Sequence, residues 1–238
     1  AKAAGVKVVI ATVVPFLEYF HFLKNSTSTK TVDYVITFNG GLVQETSTGN
    51  ELIRETLSYE DYLDIEVLAN KLGVHSHAIT KDGIYTSNRN IGRYTVHEST
   101  LVHMPIYYRT PEEVADKEFV KAMYIDEPEI LDVAIAKLPQ EFYDRFTIVK
   151  STPFYLEILK KTANKGIAVT HLAEKLGLSK EETMAIGDEE NDRAMLEVVG
   201  SPVVMENGNP EMKKIAKHIT KSNDESGVAY AIRKWVLE

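Results

Sequence analysis

Short apolar runs alternate with longer amphipathic segments along most of this chain. Apolar runs cover positions 6–11, 34–38 and 184–187, the first two rich in β-branched residues, and segments with helical spacing lie between and after such runs. Alternation of strand and helix patterns is typical of an α/β fold with a largely parallel sheet. We therefore expect a doubly wound α/β core. A helix over 16–23 and a polar linker over 25–29 are also expected.

The middle of the chain reads as a separate α/β module over 42–155, so the core is expected to comprise 1–41 and 156–238. Gly40 and Gly41 mark the first crossing and are a plausible hinge. Within the module, Ser58 and Asp61 predict a capped helix that runs to Leu72. Further expectations are a hairpin of 77–80 with 84–86, a strand over 121–125, a helix over 127–138, and a return to the core with 156–159.

Polar residues follow the apolar run that ends at Gly187. Asp188, Asn191 and Asp192 occur within five positions, where a strand ends and a helix over 192–199 begins. Ligands of α/β proteins bind at that edge of the sheet, and oxygen ligands suit a hard cation such as magnesium. Acidic residues are also favoured in the first turn of any helix, so the cluster alone leaves a purely structural role equally open.

Lys165 precedes Asp188 by 23 residues, about one helix and one strand. A helix is expected over 167–176, with Gly177 as its C-cap and a short capped turn over 179–182. A lysine at a helix N-terminus is unfavourable unless it faces an anion, and phosphate would satisfy both positive charges. The alternative is a solvated surface lysine, which the nearby Asp188 cluster disfavours. Thr12 ends the first apolar run, where its hydroxyl could bind a phosphate oxygen.

Composition narrows the class of protein. The chain has 238 residues, 44% of them hydrophobic, a net charge of −8 and no cysteine. The negative charge argues against nucleic acid or an anionic membrane as the main partner. Without cysteine, disulfides and thiolate chemistry are excluded, which fits a cytoplasmic location. No apolar run has the length of a membrane span.

Read together, the strand ending in Thr12, Lys165-Gly166, and Gly187-Asp188 with Asn191-Asp192 resemble motifs two, three and four of the haloacid dehalogenase superfamily. The Asn39-Gly40 junction, the long insertion and the segments 154–158, 205–207 and 220–223 are similar to its Cof-type branch (subfamily IIB). Segments 94–99 and 125–128 are similar to YidA-type sugar phosphatases. The resemblance runs essentially from end to end and implies a Rossmann-like core with an inserted α/β cap domain.

The resemblance also implies an activity and a set of roles. It implies a magnesium-dependent phosphatase of small sugar phosphates, with Mg²⁺ as cofactor and a small-molecule phosphate ester as partner. Asp188 would hold the metal, and Asn191 would contact phosphate or a metal-bound water. Lys165 would neutralise the phosphoryl group, with Asp192 orienting it, and Thr12 and Val13 would bind phosphate.

One element of the family pattern is not found in these residues. The first motif of the family is a strand ending in Asp-x-Asp-Gly-Thr, which supplies the nucleophile and the general acid and base, and the 238 residues contain no such segment. Val13-Val14 stand where the second motif usually continues with Gly-Arg. Because this motif supplies the nucleophile and its strand is normally central in the sheet, its absence bears on both chemistry and fold, and we expect impaired hydrolysis. A non-catalytic remnant that binds phosphate or phosphosugar remains the alternative, and a phosphomutase or a trehalose- or sucrose-phosphate phosphatase is less favoured.

Polar residues of the inserted module are candidates for contacting a sugar, although each is individually more often structural: His75, His77, Asn88, Arg89, Tyr94 and His97. His75 and His77 share one face of a strand and could suggest a metal pair. No third ligand is evident near them, so a structural role is preferred.

Overall fold

The structure, a computed structural model, describes residues 1–12 and 32–238. The expected helix over 16–23, the linker over 25–29 and the Val13-Val14 pair lie outside the described residues. In chain order the described strands, β1 to β13, are Val9–Ala11, Tyr34–Thr37, Leu42–Glu45, Glu51–Arg54, Ser76–Ile79, Ile84–Thr86, Ile106–Tyr108, Lys121–Ile125, Phe146–Thr152, Tyr155–Lys160, Met184–Gly187, Ser201–Val204 and His218–Ile219.

The described α-helices, α1 to α8 in chain order, are Tyr59–Leu72, Arg93–Val102, Pro128–Ile135, Gln140–Arg145, Lys165–Lys175, Arg193–Val198, Pro210–Lys213 and Gly227–Ile232. The described residues form two compact units. The first unit comprises 1–12, 32–53 and 164–238, and the second comprises 54–163. Strands and helices alternate in both, so the predicted α/β class is confirmed.

The first unit contains two sheets. One has the strand order β1-β2-β3-β4, with β1 parallel to β2, and the other consists of the parallel strands β11-β12-β13. Helix α5 packs on both. Ala168 and Leu172 contact the core around Ile36 of β2, while Val169 also packs against the core that contains Leu196. Among the described residues, no strand joins the two sheets.

The second unit is built on one six-stranded sheet of order β7-β6-β5-β8-β10-β9. Its main core lies between one face of this sheet and helices α1, α3 and α4, and includes Tyr62, Tyr124 and Leu131. The predicted capping box of Ser58 and Asp61 is confirmed, as are the β5–β6 hairpin and the strand Lys121–Ile125. The helix expected over 127–138 is shorter and spans Pro128–Ile135.

The boundaries of the two units differ from the expected 41/42 and 155/156. Strand β3 pairs antiparallel with β2, so the segment 42–53 stays with the first unit. Strand β10 pairs antiparallel with both β8 and β9, so the expectation that 156–159 rejoins the core is wrong. The chain re-enters the first unit at Asn164 instead. Because distant strands pair, both boundaries between the units lie later in the chain than expected from the sequence, by about a dozen residues or fewer.

Candidate phosphate and metal site in the first unit

Lys165 is the first residue of helix α5 and is only 4% exposed. The Asn164 side chain caps the helix by accepting a hydrogen bond of 2.9 Å from the backbone N–H of Ile167. Gly166 lies against helix α6, where an added Cβ would be 2.4 Å from the carbonyl oxygen of Ala194. The absence of a side chain at Gly166 thus lets α5 begin close to α6. Lys165 lies at a helix start as predicted, and the structure adds that it is buried.

Asp192 holds Lys165 in place. The Nζ of Lys165 donates to Oδ1 of Asp192 at 2.6 Å, and both side chains are buried. The second oxygen, Oδ2, accepts from the backbone N–H of Asp188 at 3.1 Å and of Glu189 at 3.5 Å. Gly187 makes room for this carboxylate, because a Cβ there would lie 2.7 Å from the Cβ and Oδ2 of Asp192. Asp192 therefore connects the lysine to the loop after β11.

Asp188 follows β11 and remains partly exposed. Its backbone carbonyl accepts a hydrogen bond of 2.8 Å from the N–H of Asn209. Burial raises the pKa of the Asp188 carboxyl, and the negative charges of Asp192 and Glu189 raise it further, while Lys165 lowers it. A cation bound here would stabilise the ionised carboxylate.

The side chains near Asp188 could hold magnesium if water and phosphate supply the remaining ligands. In the described part of the chain, no group of three or more histidine, cysteine, aspartate or glutamate side chains is arranged to hold a metal ion. Magnesium, however, is commonly held by one or two carboxylates together with waters and substrate phosphates. Asp188 could serve as such a carboxylate, and phosphate and water would complete the coordination.

Thr12 lies directly after β1. Its N–H donates to the carbonyl of Ile36 at 2.8 Å, and its own carbonyl accepts from the N–H of Asn39 at 3.1 Å. The next residue, Gly40, has φ +104°, and a Cβ there would lie 2.4 Å from the carbonyl of Asn164 and 2.9 Å from the nitrogen of Lys165. The turn after β2 thus joins the Thr12 strand end to the start of α5.

The structure brings most of the sequence-predicted site residues together within the first unit. Lys165, Asp188 and Asp192 are linked by direct hydrogen bonds, and Thr12 is linked to Lys165 through the 39–40 turn. Asn191 lies exposed in the 3₁₀ turn Glu190–Asp192. Val13 lies outside the described residues. The roles assigned to these side chains remain predictions.

Sequence reasoning missed two neighbours of this cluster. Glu189 forms a reciprocal capping box with Asp192 at the start of the turn. Asn39, expected only to flank a hinge, has a left-handed backbone (φ 54°) and a buried side chain. The signal available in the sequence was an Asn-Gly pair directly after a strand, which is typical of a turn with positive φ.

In the second unit, the candidate sugar contacts divide into internal and surface residues. His77 is 0% exposed, and the Oδ1 of Asn88 accepts from the N–H of Ser76 at 2.8 Å. His75 is partly exposed and contacts Asp126 through Nδ1 at 2.7 Å. The ring of Tyr94 stacks on Phe154. The complete burial of His77 and the backbone hydrogen bond of Asn88 favour structural roles for these two residues.

Two further candidates are exposed. The Nε of Arg89 donates to the hydroxyl of Tyr108 at 3.4 Å. The Nδ1 of His97 lies 2.6 Å from the hydroxyl of Tyr155.

The burial of His77 also affects its charge. Burial lowers the pKa of His77 to about 3, assisted by the positive charge of Lys121. His77 is therefore neutral at ordinary pH.

Comparison with known proteins identifies the family. The model of the haloacid dehalogenase-like hydrolase family matches residues 1–232. The chain is 65% identical over 237 residues to the Streptococcus pyogenes serotype M6 protein named "Putative phosphatase M6_Spy0533", covering 100% of this chain and 88% of that protein. The similarly named Bacillus subtilis YxeH is 40% identical over 239 residues, with the same coverage of both chains.

A solved structure shares the fold. BT4131, a sugar phosphatase of subclass IIB of the haloacid dehalogenase superfamily, superposes with a TM-score of 0.77 at 21% identity, covering 100% of this chain and 88% of that one. At this identity the likeness concerns the fold alone. No helix within 1–12 or 32–238 has the length and apolar character needed to cross a membrane. The family match over nearly the whole sequence and the agreement in fold show that the chain belongs to the haloacid dehalogenase-like hydrolases.

Proposed function

We propose that this chain belongs functionally to the magnesium-dependent phosphatases of small sugar phosphates, and that the Lys165 cluster is its phosphate and metal site. The observation that carries the proposal is the buried Lys165–Asp192 ion pair beside the partly exposed Asp188. The family supports hydrolysis, and the names of the Streptococcus pyogenes and Bacillus subtilis relatives support a phosphate ester as the substrate; the resemblance of segments 94–99 and 125–128 supports a sugar phosphate. The net charge of −8 and the lack of cysteine fit a small-molecule substrate in the cytoplasm.

Each residue of the cluster has a definite task in this proposal. The ammonium of Lys165 has three N–H donors, and the one aimed at Asp192 fixes its direction. The remaining donors are available to phosphoryl oxygens, with Thr12 and Asn191 as further phosphate contacts. Asp188 would hold the metal. Bound magnesium would neutralise charge that develops on the phosphoryl oxygens.

The chemistry still requires a nucleophile. In aspartate-based phosphoryl transfer a carboxylate attacks phosphorus, the P–O bond to the alcohol breaks and the alcohol leaves, and water then hydrolyses the resulting aspartyl phosphate to the carboxylate and inorganic phosphate. The 238 residues contain no Asp-x-Asp segment to supply that carboxylate. A carboxylate elsewhere is a poor substitute, because attack requires close alignment with phosphorus. We therefore propose that the 238-residue polypeptide by itself binds phosphate esters but hydrolyses them poorly.

The second candidate function is a non-catalytic phosphosugar-binding protein, for which the Lys165–Asp192 cluster would suffice because binding requires no nucleophile. Turnover separates the two. The purified 238-residue chain is assayed with magnesium against a panel of sugar phosphates, beside a version that carries an Asp-x-Asp-Gly-Thr strand upstream and Gly-Arg in place of Val13-Val14. We expect the second version to hydrolyse the esters faster than the 238-residue chain by several orders of magnitude.

Asp188→Asn is the control for contaminating phosphatase. Robust magnesium-dependent turnover by the 238-residue chain that disappears in Asp188→Asn would show that another carboxylate serves as nucleophile. If neither version hydrolyses any ester while both bind phosphosugars, the non-catalytic function is the correct one.

A further inference from the structure

Hydrogen bonds hold the backbone of Asp188 on both sides. Its N–H donates to Oδ2 of Asp192 at 3.1 Å, and its carbonyl accepts a hydrogen bond of 2.8 Å from the N–H of Asn209. The preceding residue, Gly187, is fixed as well, because its carbonyl accepts from the N–H of Met205 at 3.0 Å. Both polar backbone groups of Asp188 are therefore engaged, while the residue stays partly exposed.

The bond from Asn209 comes from a different loop of the first unit. Asp192 lies four residues after Asp188 in the same turn, whereas Asn209 follows β12, the strand that runs parallel to β11. This second loop, the turn 205–209, packs closely on Asp188. An added Cβ at Gly208 would lie 3.0 Å from the carbonyl oxygen of Asp188 and 3.1 Å from its Cα. The position of Asp188 thus depends on the turn 205–209.

Asn209 is itself anchored by the helix that it begins. Its side-chain Oδ1 caps α7 by accepting from the N–H of Glu211 at 2.9 Å. Its carbonyl accepts from the N–H groups of Met212 at 3.0 Å and Lys213 at 3.2 Å. The side chain and carbonyl of Asn209 therefore serve α7, and its N–H is the group that reaches Asp188.

We propose that Asn209 is a positioning residue, whose backbone N–H fixes Asp188 for the joint binding of magnesium and phosphate. The inference rests on the proposed function, in which Asp188 holds the metal, and extends it to a residue outside the 187–192 segment. Magnesium demands near-ideal octahedral geometry, so a carboxylate that holds it together with phosphate needs a fixed direction. Without the bond from Asn209, binding would have to order the Asp188 backbone, which costs conformational entropy.

Two substitutions of Asn209 separate its N–H from its side chain. Asn209→Pro removes the N–H, and the backbone angles at this position, φ −54° and ψ 131°, are ones that proline adopts. It also removes the side-chain cap of α7. Asn209→Ala removes the cap but keeps the N–H, so it is the matched control.

The measured quantity is the Kd of inorganic phosphate without magnesium divided by its Kd with saturating magnesium, from calorimetry on the full chain. This ratio should exceed one for the wild-type chain. We expect Asn209→Pro to reduce it about three- to tenfold, the effect of one hydrogen bond, and Asn209→Ala to keep it. Both variants should bind phosphate without magnesium as the wild-type chain does, because the Lys165–Asp192 pair is intact. A purely structural role of the N–H would lower the unfolding midpoint but not the ratio.

Two results would overturn the proposal. One is a wild-type ratio in Asn209→Pro. The other is an equal loss in both variants, which would assign the effect to the cap of α7. If Asn209→Pro does not fold, as judged by circular dichroism, an ester in place of the 208–209 peptide bond removes the same N–H and carries the same expectation. Failure of the proposed metal site has a different signature: magnesium would leave the phosphate Kd of the wild-type chain unchanged, which would refute that site together with the role of Asn209.

Discussion

Lys121 in the second unit and Lys165 in the first are both almost completely buried, yet their surroundings differ. The Nζ of Lys121 lies 3.2 Å from Glu157 and 3.7 Å from Glu98, and all three side chains are at most 6% exposed. Lys121 lies on β8, which runs between β5 and β10 in the six-stranded sheet. Lys165 instead begins a helix, and its partner Asp192 also binds the backbone of the loop that carries Asp188.

The comparison shows that burial of a lysine does not by itself indicate a ligand site. Lys121 is surrounded by two carboxylates inside a sheet, which is a closed arrangement. Burial raises the pKa of Glu98 despite the opposing effect of Lys121, and the negative charge of Glu157 raises it further. Lys165 lies where strand ends and a helix N-terminus meet, beside a carboxylate that solvent can reach. Position on the fold therefore distinguishes a structural ion pair from a candidate phosphate site.

The largest expected effect is a loss of stability of the second unit when Lys121 is replaced. Lys121→Met leaves two buried carboxylates without their counter-charge and should destabilise the second unit by about 3–5 kcal/mol. Hydrogen exchange of the β8 amides during urea titration measures this, because β8 belongs to the second unit. Phosphate affinity of the folded chain should not change. An unchanged unfolding midpoint would show that the cluster contributes nothing to stability.

The second prediction concerns Gly187, whose lack of a side chain leaves space for the Asp192 carboxylate. Gly187→Ala places a Cβ 2.7 Å from the Asp192 carboxylate, and this overpacking should cost about 1–3 kcal/mol. Phosphate affinity should fall as well, because Asp192 can no longer direct Lys165. Gly177→Ala is the matched control, since no heavy atom lies within 4 Å of its Cβ. Its left-handed backbone should cost about 1–2 kcal/mol without affecting phosphate binding. Equal phosphate affinities in the two variants would contradict the proposed role of Asp192.

The third effect is a pH dependence confined to the second unit. Because burial lowers the pKa of His77 to about 3 from 6.5, the unfolded chain binds a proton between these values and the folded chain does not. Stability from neutral His77 is therefore fully present above pH 6.5 and is lost as the pH falls below it. The loss at pH 5.5 relative to pH 8 is about 1.4 kcal/mol. His77→Gln should remove this part of the pH profile; identical profiles for both chains would refute the assignment.

The sequence predicted features that are determined locally. The capping box of Ser58 and the position of Lys165 at the start of α5 follow from neighbouring residues, and both are found. The unit boundaries depend on pairing between distant strands, so Tyr155–Lys160 was misplaced. The sequence left open whether His77 contacts a sugar or has a structural role, because its burial depends on how the sheet is covered. The hydrogen bond from Asn209 to Asp188 joins loops that follow two different strands, so no local pattern specifies it.

The central claim is that the Lys165 cluster binds phosphate and the Lys121 cluster does not. Calorimetric titration of inorganic phosphate, with magnesium present, into the wild-type chain, Lys165→Gln and Lys121→Met tests it directly. A charge-assisted hydrogen bond is worth about 1.5–3 kcal/mol, so Lys165→Gln should raise the Kd at least about tenfold. Lys121→Met should bind as the wild-type chain does under conditions where it is folded. A Kd that is the same for Lys165→Gln and the wild-type chain would contradict the account.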